Sequence, residues 1–328
     1  MSPLFNTAIS GLGAHLPSKV LTNFDLEKMV DTTDEWIRTR TGIHTRRIAE
    51  KNQSASDLAV PAALEAIKNA NLEPTDLDLI IVATITPDMF FPSSACKLQY
   101  KIGAKCGAFD MAAACSGFPY AIAVADSFIK AGIYKNILVV GSEVLSGFID
   151  WTDRSTCVLF GDGAGAAVLS RAKDGHGIIS NAIGADGSQG DLLQIPGGGS
   201  ANPPTEETVK TKLHTLKMLG SEVFKVAVRT MDLAVRDVVH NAGLKVSDIH
   251  CLIPHQANMR ILQAVAERLE MPLEKIFINV EKYGNMSSAS TAVALYEAEK
   301  TGKIKKGDYV VLVAFGGGLT WASTLIKW

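Results

Sequence analysis

What this 328-residue sequence lacks narrows its possibilities first. No run of about 18 uninterrupted apolar residues occurs, so no membrane-spanning helix is expected. The first 21 residues hold no basic segment followed by an apolar stretch and a small-residue cleavage site, which makes the cytoplasm the expected location. Neither charge sign is in excess: 32 Lys and Arg face 34 Asp and Glu, a net charge of −2. That balance argues against chain-wide attraction to nucleic acid or membrane, although a local basic patch stays open. The five cysteines, Cys96, Cys106, Cys115, Cys157 and Cys251, are odd in number and contain no CxxC pair. Neither a disulfide framework nor a zinc knuckle is therefore expected. No two histidines share a metal-ligand spacing with a carboxylate, so no metal is assigned. GDGAGAAVL (161–169) leads into a strand rather than following one, which excludes the strand–GxGxxG–helix order of a dinucleotide fold.

What is present is an alternation of short β-rich apolar runs with helical segments. LIIVATI (79–85), NILVVGS (136–142), AAVLS (166–170), CLIP (251–254) and YVVLVAF (309–315) read as strands covered on both faces. Segments 56–69, 117–131, 221–241, 259–269 and 288–300 read as helices. The alternation predicts an α/β fold with largely parallel sheets. The Gly- and Pro-rich stretch 196–211 reads as a loop. Three pairs of segments also repeat in the same order at offsets of 170 to 172 residues. Gly13 matches Gly184, Asp76 matches Asp248, and the segment opening at Cys115 matches the one opening at Asn285. The repeat predicts two halves, 1–172 and 173–328, divided near Lys173, with Cys115 and Asn285 in equivalent places.

Cys115 lies in DMAAACSGFPYAIAVADSF (110–128), where a small-residue run ends and an amphipathic helix begins. A sharp strand-to-helix turn would set the sulfur at a helix N-terminus, where the dipole lowers the thiol pKa and a backbone N–H faces an oxyanion. Most free cysteines are inert buried hydrophobes, and the local sequence does not separate the two readings. The remaining cysteines are assigned to packing. His255, in LIPHQANMR (252–260), ends an apolar strand at the rim where α/β proteins place their sites. It fits equally a helix-flanking histidine bonded to backbone. Asn285, in KYGNMSSASTAVAL (282–295), fits a turn before an N-cap. The repeat adds the second reading, in which it faces Cys115. AFGGGLTWAS (314–323) sets three glycines directly after a strand, where backbone approaches a ligand closely.

Together AAACSG, PHQANMR, YGNMSSAS, GDGAGAAVL and AFGGG, with DTTDEWIRTRTGI (31–43), span essentially the whole chain. In that order they resemble the thiolase-like condensing enzymes, most closely the 3-oxoacyl-[acyl-carrier-protein] synthase III family. The resemblance implies a five-layer αβαβα fold of two pseudo-repeated halves, a homodimer, and catalysis by Cys115, His255 and Asn285. It implies acyl transfer from acyl-CoA, with acetyl-CoA as the leading primer, to Cys115. Decarboxylative condensation with malonyl-acyl-carrier protein follows, and no cofactor beyond these substrates is implied. Gly317 and Cys115 would supply oxyanion N–H groups, with Phe315 beside the departing carboxylate.

By the same resemblance Trp36 and Arg154 would sandwich the adenine of coenzyme A, with Arg40 near its phosphates and Gly220 and Asn258 along the pantetheine channel. Phe91 and Phe160 match acyl-pocket residues, Phe91 reaching across the dimer. Gln256, Ala257, Asn258, Met259 and Arg260, together with Lys225, match the docking surface for the acidic carrier protein. Ser116, Arg38 and the bulky Met89-Phe90-Phe91 depart from the family pattern and bear on primer length. The alternative is a specialised relative that condenses a longer, branched or aromatic acyl group in secondary metabolism. A non-catalytic partner subunit would lose the nucleophile that this chain keeps.

Overall fold

The β-rich runs form strands because helices cover both faces of the sheets they build. A computed structural model describes residues 5–172 and 175–328. Lys173, where the repeat divides the chain, lies outside the described residues. The first sheet holds β1 (Asn6–His15), β2 (Leu79–Ala83), β3 (Gly107–Met111), β4 (Asn136–Glu143) and β5 (Gly163–Ala172), in the order β1-β5-β4-β2-β3. The second holds β6 (Gly177–Ala185), β7 (Cys251–Pro254), β8 (Tyr309–Gly316) and β9 (Thr320–Lys327), in the order β7-β8-β9-β6. The helices that bear on the site are α1 (Asp34–Thr41), α2 (Ala55–Asn69), α3 (Ser94–Ile102), α4 (Gly117–Lys130), α5 (Gly220–Asn241), α6 (Met259–Arg268) and α7 (Ser288–Lys300).

Side chains alternate between sheet faces with period two, and this splits each strand between two cores. Leu79, Ile81 and Ala83 of β2 point inward, onto Phe118, Ile122 and Ala125 of α4 and Leu295 of α7. Ile80 and Val82 point outward, onto α2 and α3. In the second sheet Ile253 and Leu312 join the inner core, while Leu252, Val311 and Val313 meet α5 and α6 outside. The layers therefore run helix, sheet, helix, sheet, helix: the αβαβα fold that the resemblance implied.

The sheets are mixed, against the expectation of largely parallel ones. β2 pairs in parallel with β3 and β4, and β7 with β8. β5 runs antiparallel to β1 and β4, and β9 antiparallel to β8 and β6. Complete burial produces the same apolar runs whichever way a strand points, so periodicity did not report direction. The 196–211 loop also contains one helical turn, Glu206–Lys210. It forms beyond the last proline of the stretch, where Thr205 accepts a hydrogen bond from the Thr208 N–H.

The two central helices approach the first sheet through small residues. A Cβ placed on Gly141 of β4 would lie 2.6 Å from the Ser288 carbonyl oxygen at the start of α7. One on Gly165 of β5 would lie 2.6 Å from the Ala292 Cβ, and one on Gly117 would lie 3.0 Å from the Ala83 Cβ. The Ser- and Ala-rich composition of α7 follows, since Ser288 to Leu295 are all buried. Gly141→Ala should destabilise the protein by about 1–3 kcal/mol, the usual cost of overpacking a filled core. The urea midpoint of the variant against wild type measures it, and an unchanged midpoint would contradict this packing.

Candidate active site

Three separate chain segments deliver Cys115, His255 and Asn285 to one cavity of about 640 Å³. Cys115 stands in a single 3₁₀ turn, Ala114–Ser116, between β3 and α4. Ala114 bends the chain there with φ = +45°, in the left-handed region that L-residues seldom occupy. His255 directly follows β7, and its backbone N–H donates to the Val313 carbonyl at 2.7 Å. The backbone N–H of Asn285 donates to the Leu159 carbonyl at 2.8 Å, and its own carbonyl accepts from the Gly161 N–H at 3.0 Å. Its side-chain Oδ1 accepts from the Ser287 N–H at 2.8 Å. The amide oxygen is thus occupied, and Asn285 has the hydrogens of Nδ2 to offer a ligand.

All three side chains are buried, Cys115 at 5%, His255 at 3% and Asn285 at 7% exposure, and burial sets the charge of the two that titrate. Loss of water holds the His255 imidazole down at about 3, so the ring is neutral at physiological pH. Its Nδ1 is buried without a hydrogen-bond partner. Burial pushes the Cys115 thiol up to about 12. The sequence predicted the opposite direction from the helix dipole. Desolvation of the buried anion is the largest cause, and a charge on Glu143 would add to it.

Gly316 and Gly317 close in from the end of β8. A Cβ on Gly316 would come within 2.5 Å of the Cys115 backbone nitrogen, so only glycine allows this approach. Gly317, Cys115 and Phe160 also line a small pocket of about 50 Å³, with Ile85, Leu145 and Ile195 among its apolar walls. Phe315 and Phe160 line the main cavity beside the three polar residues.

Toward the mouth lie Trp36, Arg40, Gly220, Lys225, Ala257, Asn258 and Arg260. α1 holds Trp36 and Arg40. It is capped by Thr33, whose hydroxyl accepts from the Trp36 N–H at 3.1 Å, and ends on Gly42 with φ = +76°. The guanidinium groups of Arg40 and Arg154 each lie 4.8 Å from the centre of the Trp36 ring. Arg154 is held there by the Asp31 carbonyl at 2.7 Å. Asn258 caps α6 by accepting from the Arg260 N–H at 2.8 Å.

Four more residues lie outside this lining. Gln256, placed by resemblance on a docking surface, is fully buried. Its amide donates to the Pro254 and Phe277 carbonyls and accepts from the N–H groups of Asn279 and Val280. With every hydrogen-bonding position filled, it braces the His255 loop and has nothing to present to a partner. Met259 is half-buried and packs against Gly42. Phe91 is 84% exposed and lies outside the cavity lining, beside Phe90 at 82%. Cys96 is exposed rather than packed, its sulfur 3.6 Å from the Ala108 carbonyl oxygen on the edge strand β3; Cys157 and Cys251 are buried.

Sequence reasoning passed over Glu143 and Ser287. Glu143, the last residue of β4, is fully buried, and Ser287 is buried with φ = +47°. The available signal was a lone acid closing an otherwise apolar strand, at the edge where α/β sheets gather functional groups. Among the described residues, no group of three or more His, Cys, Asp or Glu side chains is placed to hold a metal ion.

Residues 239–328 match the family model described as 3-oxoacyl-[acyl-carrier-protein (ACP)] synthase III C terminal. Residues 109–187 match the model described as 3-oxoacyl-[acyl-carrier-protein (ACP)] synthase III. A beta-ketoacyl-[acyl-carrier-protein] synthase III of Caldanaerobacter subterraneus subsp. tengcongensis is 57% identical over 321 residues, 98% of this chain and 97% of its own length. One of Desulfitobacterium hafniense strain Y51 is 52% identical over 326 residues, 99% of this chain and 98% of its own. The crystal structure of 3-oxoacyl-[acyl-carrier-protein] synthase III from Aquifex aeolicus VF5 is similar with a TM-score of 0.91 at 51% identity. That match covers 98% of this chain and 100% of the other.

His255 gives a pH prediction. Its pKa in the folded protein lies below the unfolded value of 6.5, so the unfolded chain binds the proton more readily. Its contribution to stability is complete above 6.5 and falls away as pH drops from there toward 3. The ring nitrogens of His255 should show no titration between about pH 5 and 8, read by ¹⁵N NMR with His255→Gln for assignment. A midpoint near 6.5 would contradict the dry environment described.

Proposed function

This chain belongs to the 3-oxoacyl-[acyl-carrier-protein] synthase III family, and from that premise we propose how its cavity performs the condensation that starts fatty acid synthesis. The enzyme is an acyltransferase that joins an acyl-CoA to malonyl-acyl-carrier protein. The observation carrying the assignment of roles is that Cys115, His255 and Asn285, far apart in sequence, line one cavity whose mouth holds Trp36 and two guanidinium groups.

The Cys115 sulfur gives up its proton and attacks the acyl-CoA carbonyl. The carbonyl electrons move to oxygen, where the Cys115 and Gly317 N–H groups receive the charge. Collapse expels the CoA thiolate, which takes a proton, and leaves an acyl thioester on Cys115. Malonyl-acyl-carrier protein then enters. The bond to its free carboxylate breaks, carbon dioxide leaves, and the electron pair becomes an enolate on the thioester carbonyl. His255, as a neutral imidazole N–H, and Asn285, through Nδ2, donate to that oxygen. A neutral histidine suits this step, since it stabilises the enolate without protonating it. The nucleophilic carbon attacks the acyl-Cys115 carbonyl, and the Cys115 sulfur leaves as a thiolate that takes a proton from solvent, yielding 3-oxoacyl-acyl-carrier protein and the resting thiol. Phe315 keeps the carboxylate's surroundings apolar and favours its departure as neutral carbon dioxide.

The 50 Å³ pocket beside Cys115 supports a short primer, acetyl-CoA foremost. Adenine stacks on Trp36 in the place that Arg154 now covers, while Arg40 faces the phosphates and Gly220 and Asn258 flank the pantetheine. Lys225 and Arg260, both exposed, meet the acidic carrier protein beside Ala257. Exposed Phe91 reaches the acyl pocket of a second copy in a homodimer. Five free cysteines suit the reducing cytoplasm. Residues 1–172 and 173–328 are two copies of one ancestral unit, supported by the placement of Cys115 and Asn285 just ahead of the two central helices.

Intact-mass analysis with a panel of acyl-CoAs tests the nucleophile and the primer together. Wild type should gain one short acyl group, and Cys115→Ser none. His255→Ala and Asn285→Ala should still acylate but lose malonyl decarboxylation by about 10²-fold or more. Label appearing on Cys115→Ser would overturn the assignment. Trp36→Ala should raise KM for acyl-CoA with little change in kcat, as expected for a contact made equally in ground and transition states.

A further inference from the structure

Glu143 takes no part in the steps above, yet its fully buried carboxyl group stands next to the nucleophile. Its Oε2 accepts from the Thr86 hydroxyl at 2.7 Å, the Thr84 hydroxyl at 3.2 Å and the Ile85 N–H at 3.2 Å. Both hydroxyls are already acceptors for backbone, Thr84 from the Thr86 N–H and Thr86 from the Val144 N–H. Their hydrogens are therefore free to point at Oε2. The other oxygen, Oε1, is different. It accepts a long contact from the Ser288 N–H at 3.5 Å and lies 2.9 Å from the Ser288 hydroxyl oxygen, which also lies 2.7 Å from the Ala83 carbonyl oxygen. Ser288 has a single hydroxyl hydrogen, and a backbone carbonyl has none. The hydrogen of Ser288 goes to the nearer oxygen, that of Ala83, which leaves the 2.9 Å contact with Glu143 short of a hydrogen that a protonated carboxyl group would supply.

We propose that Glu143 is a neutral carboxylic acid which donates to Ser288, pins the start of α7 beneath Cys115, and so keeps a competing negative charge away from the thiolate. Glu143 acts as a positioning residue. Burial favours its proton by pushing the carboxyl pKa up, and among the described residues it forms no ion pair. The groups facing it are the hydroxyls of Thr84 and Thr86 beyond β2, and those of Ser287 and Ser288 at the start of α7. The titratable neighbour is Cys115, whose thiol an ionised Glu143 would push higher. The Ser287 hydroxyl is buried without a hydrogen-bond partner, and its presence opposes the rise at both the Cys115 thiol and the Glu143 carboxyl. The protonation state stands on this geometry alone; its kinetic consequence rests on Cys115 being the nucleophile.

Glutamate-selective ¹³C labelling of the side-chain carboxyl carbon tests the first part and leaves the buried aspartates silent. One resonance should stay at its protonated position at pH 7 and vanish in Glu143→Gln, or in Glu143→Asp should the glutamine variant not fold. A wild-type spectrum with no such resonance overturns the proposal. The second readout is the rate of Cys115 alkylation by iodoacetamide, mapped by mass spectrometry from pH 6 to 10. Glu143→Gln keeps one donor and one acceptor but does not ionise, so its rate should pull ahead of wild type as pH rises, by about tenfold for each pKa unit that the charge imposes on the thiol. A rate at pH 7 about tenfold below wild type would show an anionic Glu143 serving Cys115 as a base, and would overturn the proposal. Should wild type fail to acylate from acyl-CoA while the resonance persists, the fault lies in the assigned function and not in the protonation state.

Discussion

The site depends on how closely the start of α7 approaches β4. A glycine at 141 lets the Ser288 carbonyl sit where a side chain would otherwise be, and that approach brings the α7 N-terminus under the first sheet. Asn285, Ser287 and Ser288 all belong to this short entry into the helix. Their positions relative to Cys115 follow from a backbone-to-strand distance, not from their own side chains. α4 obeys the same rule through Gly117 against Ala83. Two helices between two sheets leave no water to correct a misfit, so a shift of either helix would be felt at the reacting atoms.

Burial then decides the electrostatics. Removing water pushes the Cys115 thiol up and the His255 imidazole down, and both favour the neutral form. The resting site holds little charge, and fixed N–H groups wait where charge develops. In such a dry region donors act in a low effective dielectric and need no reorganisation when an oxyanion forms. The same dryness explains why a helix dipole alone does not make Cys115 a resting thiolate.

In the proposed assignment, binding and chemistry occupy opposite ends of one cavity. Arg40, Arg154, Lys225 and Arg260 gather at the mouth, where charges remain hydrated, and the closed end keeps only hydrogen-bonding and apolar groups. Contacts with a remote nucleotide can then position the thioester without bringing cations near the carbanion. Gln256 ties the two ends together: fully hydrogen-bonded and buried, it braces the turn between His255 above and the α6 residues at the rim.

By itself the sequence determined the element pattern, because full burial writes apolar runs and small-residue helices whatever the topology. CLIP (251–254) and segment 288–300 coincide with β7 and α7 for that reason. Motif order also determined the family, and through it which cysteine, histidine and asparagine match its catalytic motifs. Tertiary structure alone decided strand direction, since β5 and β9 turn antiparallel without any change in composition. It also decided the fate of Gln256, which local sequence placed beside an exposed helix start and packing sealed inside. The sign of the shift at Cys115 belongs here too, because desolvation depends on everything folded around the sulfur. Last is the proton on Glu143: it follows from one serine hydroxyl with two oxygen neighbours, an arrangement that exists only once β2, β4 and α7 have met.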